Sequence, residues 1–105
     1  MEALVRYIIA TTLAFTGGVA GYWFMPTEPF GVLGNALIVG GLFGFVAGLV
    51  RLTGFLGNVI NVFLLTPLVY FIDGWAVVPW VWGNMGYAVF NVIGQLTFYS
   101  AVTRL

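Results

Sequence analysis

Six charged side chains, Glu2, Arg6, Glu28, Arg51, Asp73 and Arg104, divide the chain into four long uncharged stretches. Crossing about 30 Å of hydrocarbon takes roughly 20 apolar residues at 1.5 Å per residue, and each stretch supplies that many. A soluble domain of 105 residues has too much surface for its volume to hide a chain that is 62% hydrophobic and only 6% charged. The expected solvent is therefore lipid. The expected fold is all-α, a polytopic membrane protein of four transmembrane helices forming two antiparallel hairpins, as a single transmembrane domain over 1–105.

The spans are expected at about 4–25, 31–50, 55–72 and 80–103. The first stops at Pro26, Thr27, Glu28 and Pro29, where two prolines and a carboxylate break the helix. Arg6 and the small residues Val19, Ala20 and Gly21 also fit a signal peptide, but the segment is read as a retained span. Arg51, Leu52, Thr53 and Gly54 make a tight turn, with Gly54 as the residue that permits reversal. Asp73 and Gly74 end the third span, and 75–79 is read as a surface segment. Within the third span Pro67 has no N–H for the Phe63 carbonyl, so a kink is expected there with the Thr66 hydroxyl as compensation.

Orientation follows from the sign of the charges. In a four-span chain Arg6, Arg51 and Arg104 fall on one side, and Glu28 and Asp73 on the other. Because cytoplasmic loops are enriched in Lys and Arg, both termini are expected inside a cell membrane. Trp23, Trp75, Trp80 and Trp82 all lie toward the acidic side, as an outer aromatic belt would.

Lipid offers no hydrophobic drive for helix to meet helix, so close packing depends on small residues. Ala10, Ala14, Gly17 and Gly21 share one face of the first span, and Gly40, Gly44 and Gly48 repeat every fourth residue on the second. These two stripes are expected to pack against each other. Gly-Asn also recurs, at Gly34-Asn35, Gly57-Asn58 and Gly83-Asn84, and the charges are spaced by about one span each. Two hairpins in parallel orientation would share that pattern, but the first reading is that short loops in any four-span chain space its charges so.

An amide within hydrocarbon must find a partner. Asn58 and Asn61 lie one turn apart on the third span, and Asn84, Asn91 and Gln95 share a face of the fourth. They are read as interhelical hydrogen-bonding groups, with a polar path or substrate site as the alternative. Without His, Cys or Lys no nucleophile–base pair can be assembled, so no enzyme, cofactor or metal is expected. Zero net charge and the absence of Lys leave no basic stripe for nucleic acid. Arg6, Arg51 and Arg104 together are candidate contacts for lipid phosphate.

Arg6-Tyr7 at the start of the first span, Asn35-Ala36 near the start of the second, and Arg51-Leu52-Thr53-Gly54-Phe55 after it give a pattern that resembles GtrA-type four-span proteins. The chain departs from that pattern in lacking an aromatic and an Asn before the Arg, an extended loop between the second and third spans, and a trailing aromatic after Arg104-Leu105. The resemblance implies movement of polyprenyl-linked sugars across a membrane. The hydropathy is similar also to that of four-span phage holins, which form pores. The residues themselves point first to a small protein that acts through helix packing. It is expected to touch membrane lipids and to join other membrane subunits or form a homo-oligomer, with a transporter or flippase for a lipid-linked or small amphipathic substrate as the alternative.

Overall fold

The computed structural model describes residues 2–25, 30–52 and 55–104, with side chains through Phe98. The loop residues 26–29, including Glu28, together with Thr53, Gly54 and the Arg104 side chain, lie outside that description. The architecture is all-helical: α1 (Glu2–Phe24), α2 (Gly31–Leu49), α3 (Phe55–Ile72) and α4 (Val77–Arg104), with a 3-10 turn at Gly74–Ala76 before the last. The first three are long and apolar enough to cross a membrane.

The fourth helix starts earlier than the sequence suggested. Val77 to Pro79, read as a surface segment, are helical. Pro79 falls in the first turn, where a backbone N–H has no intrahelical acceptor and its loss costs nothing. Asp73 ends α3 and accepts the Trp75 N–H at 3.0 Å, capping the short 3-10 turn.

Gly17 meets Gly40 and Gly21 meets Asn35, so α1 and α2 are antiparallel, whereas Gly40 meets Gly83 and Gly44 meets Tyr87, so α2 and α4 are parallel. The glycine stripe of α2 thus has a different main partner from the one expected. Gly44 and Gly48 face the α4 backbone at Tyr87, Asn91 and Gly94, and Gly40 also touches α1 at Gly17. The reason is that α4 carries small residues of its own, Gly83, Gly86 and Gly94, which let two backbones approach along several turns.

Three helices cross at Gly40. A Cβ on Gly40 would lie 2.6 Å from the Gly83 carbonyl oxygen, and one on Gly17 would lie 2.6 Å from the Gly40 Cα. Gly83 in turn rests on Gly18 of α1. Around this point the apolar core collects Ala10, Ala14, Ala47 and Tyr87, with Leu13, Phe43 and Leu52 packed on it. By contrast, α3 lies at the edge of a flat body whose extents are 46 × 36 × 17 Å. Its outward face leaves Phe63, Leu64, Leu68 and Phe71 exposed.

Two backbone features correct the sequence reading. The turn after α2 places Arg51 at φ 63°, while its N–H reaches Gly48 O (3.1 Å) and that of Leu52 reaches Ala47 O (2.7 Å). That bonding pattern ends a helix with one left-handed residue, usually Gly. Here Arg51 takes that position, at a cost of about 1 kcal/mol relative to Gly. In α3 a π turn over Asn61–Leu65 shifts the register so that Pro67 falls in the first turn of the helical segment that follows. The Thr66 hydroxyl therefore donates to Val62 O (2.6 Å) and Asn61 O (3.3 Å) rather than to Phe63.

Candidate functional site

Two features bring the polar residues of the helices together. The first is an amide cluster between α3 and α4, and the second is a groove between α1 and α3 at the end of the molecule where Arg6 and Arg51 lie.

The amide cluster is fully buried. Asn84 Oδ1 accepts from Asn58 Nδ2 at 2.6 Å and from Asn61 Nδ2 at 3.0 Å, and Asn84 Nδ2 donates to Trp80 O at 2.7 Å. Asn61 Nδ2 also reaches the Thr11 hydroxyl at 2.9 Å, and its Oδ1 accepts the hydroxyl proton of Tyr7, so α1 joins the network. The π turn makes its own contribution: Asn61 O is left with room for side-chain donors and accepts the Trp80 indole N–H at 3.1 Å. Three helices are thereby tied through one set of side chains. Each such contact is worth on the order of 1 kcal/mol in a membrane setting.

Trp80 therefore stands apart from the expected aromatic belt. It is buried, edge-on to Phe15 at 5.8 Å between ring centres, and its polar tip is used inside the protein. Trp23 and Trp75 are exposed.

Asn91 and Gln95 do not continue the cluster. Asn91 Nδ2 donates to Gly44 O (3.3 Å) and to Leu52 O (3.1 Å), fastening α4 to α2 and to the turn after it, while Gln95 Nε2 donates to Asn91 Oδ1. The amides of α4 are thus divided between two neighbours rather than lining one passage. Two buried atoms, Asn58 Oδ1 and the Tyr87 hydroxyl, have no hydrogen-bond partner among the described residues.

Asn35 was noted only in the Gly-Asn recurrence and the Asn35-Ala36 pair, not among the hydrogen-bonding amides, yet it performs a comparable task. Its side chain accepts the Phe30 N–H at 3.2 Å and donates to Met25 O, bridging the two ends of the connection between α1 and α2. The available signal was the Gly-Asn recurrence: Asn35, Asn58 and Asn84 are all buried.

The groove has a volume of about 560 Å³ and is lined by Ala3, Arg6 and Tyr7 of α1, Phe55, Leu56, Gly57 and Ile60 of α3, and Gln95 of α4. Tyr7 forms its boundary with the amide cluster, since the ring edge lies against Gly57 while the hydroxyl serves Asn61. Arg6 pairs with Glu2 at 3.2 Å and donates to Arg51 O at 3.1 Å. The pair with Glu2 is exposed and contributes little to stability. Arg51 places its guanidinium over the Phe98 ring, 5.3 Å from the centroid. Of the three arginines proposed for phosphate contact, Arg6 and Arg51 are thus neighbours.

Comparison with known proteins returned no matching family model, no similar curated protein and no similar solved structure.

Proposed function

We propose that all four helices cross a cell membrane with both termini on the cytoplasmic side, and that the protein acts through helix packing. In this reading it is a small subunit of a membrane complex or a self-associating oligomer. The single observation that carries the proposal is the allocation of polar and apolar groups. The amides and the Trp80 indole are spent on neighbouring helices, while α3 keeps Phe63, Leu64, Leu68, Phe71 and Ile72 exposed.

α4 is the least apolar of the four helices, and its place in the packing supports reading it as a span. Its polar groups Asn84 and Asn91 are buried by α1, α2 and α3, so they need no water. A helix enclosed by protein can cross hydrocarbon with amides that would be costly against lipid.

The alternative, a transporter or flippase for a lipid-linked or small amphipathic substrate, draws support from the groove that Arg6 and Gln95 line. The mass of the native particle extracted into nanodiscs separates the two readings. Packing as the mode of action predicts a mass of two or more chains, or of this chain with co-purifying membrane proteins. A particle of one chain alone, at 11.4 kDa plus lipid, would contradict it.

A further inference from the structure

The geometry points to a binding site for an anionic glycerophospholipid in the groove between α1 and α3, with the lipid phosphate at Arg6 and Arg51 and an acyl chain against Leu56 and Ile60. The inference uses the membrane setting proposed above and is independent of whether the protein assembles.

Four features converge on that occupant. The groove walls are largely apolar and its volume of about 560 Å³ falls in the range of small-molecule sites. Its mouth carries net positive charge. Arg6 has Glu2 as its ion-pair partner, whereas Arg51 has none among the described residues, leaving two guanidinium groups and one carboxylate. Arg51 is also tied to residues at the groove's edge. Its backbone oxygen is fixed by Arg6 and its guanidinium lies over Phe98, one helical turn beyond the groove-lining Gln95. A guanidinium on an aromatic face keeps its N–H edges free for a phosphate. Finally, Gln95 directs its Nε2 to Asn91, and its Oε1 takes no hydrogen bond among the described residues. That acceptor suits a headgroup hydroxyl, which favours a phosphatidylglycerol-like head over a choline head.

The left-handed backbone at Arg51 gives the assignment further weight. A Gly would relieve the backbone there, and the side chain that stands in its place is the one whose guanidinium lies over Phe98.

Native mass spectrometry of the delipidated full chain, titrated with phosphatidylglycerol, phosphatidylcholine or inorganic phosphate, tests the assignment. The parent should retain phosphatidylglycerol at least tenfold better than phosphatidylcholine, the factor expected of one charge-assisted hydrogen bond. Arg51→Gln should reduce that preference to about twofold or less, and Ala3→Trp, which fills the groove from an exposed position, should weaken phosphatidylglycerol binding by about tenfold. Both variants are checked for parental helicity, and Ala3→Trp decides alone if Arg51→Gln fails to fold. Equal retention of the two lipids by the parent, or parental binding by Ala3→Trp, would overturn the assignment. Displacement of phosphatidylglycerol by millimolar inorganic phosphate would overturn it too, by showing a site for free phosphate. The same spectra report the chain count, so a single chain that still selects phosphatidylglycerol would sink the assembly reading and leave the lipid site standing.

Discussion

Replacing Gly40 by Ala is expected to destabilise the protein by about 2 kcal/mol, even though Ala is the better helix former by about 1 kcal/mol. The sign follows from the crossing of three helices. A methyl on Gly40 would lie 2.6 Å from the Gly83 oxygen and 2.8 Å from the Gly83 Cα, both backbone atoms that cannot swing aside. The approach of α2 to α4 would have to widen, and with it the contacts of Gly44 against Tyr87 and Gly48 against Asn91. Gly40→Leu should abolish the native fold. Leu42→Ala makes the comparison, because Leu42 is exposed and lipid contact is lost for lipid contact, so the change should stay within about 0.5 kcal/mol. Denaturation by sodium dodecyl sulfate in mixed micelles, followed by circular dichroism, measures both. A Gly40→Ala protein as stable as the parent, or more so, would mean that the crossing is looser than the geometry states.

Asn84→Leu is expected to cost about 2–3 kcal/mol and to loosen α3 from the rest. The substitution nearly conserves volume, so the loss is electrostatic in origin. Asn58 Nδ2 and Asn61 Nδ2 lose their shared acceptor while remaining buried, at roughly 1 kcal/mol for each stranded group. Asn61 keeps Thr11 as a partner, whereas Asn58 keeps no side-chain partner among the described residues, so the larger share falls on Asn58. The double change Asn58→Leu with Asn84→Leu should therefore cost less than the sum of the two single changes, by about 1 kcal/mol. Strict additivity would show that the two amides do not interact. Mixed-micelle unfolding followed by circular dichroism serves here too.

How far the sequence carried can be seen at particular residues. The helix limits were legible because charge marks each end: α1, α2 and α3 lie within about two residues of the expected 4–25, 31–50 and 55–72. The amides were legible as a class, since Asn58, Asn61, Asn84 and Asn91 are all buried and bonded. Their grouping was not, because a shared helix face says nothing about which neighbour that face meets at each level. Asn84 meets α3 and Asn91, two turns further on, meets α2. The partner of the Gly40, Gly44 and Gly48 stripe was missed for a related reason. Both α1 and α4 offer small residues, and the sequence does not rank the two surfaces, although Gly83, Gly86 and Gly94 were there to be noticed. The left-handed Arg51 and the π turn in α3 had no pattern to announce them. Gly54 was the obvious candidate for the first, and Pro67 masked the second by suggesting a simple kink.

The central claim, that α4 crosses the membrane in the midst of the other three helices, is tested most directly by the side on which its two ends lie. The chain has no Cys, so single cysteines can be introduced without background as Glu28→Cys, Thr53→Cys, Asp73→Cys and Thr103→Cys. An impermeant thiol reagent applied to intact cells should label positions 28 and 73, and should reach 53 and 103 only after the membrane is opened. Labelling of positions 73 and 103 from the same side would contradict the account, since a helix whose ends share one side of the membrane has not crossed it.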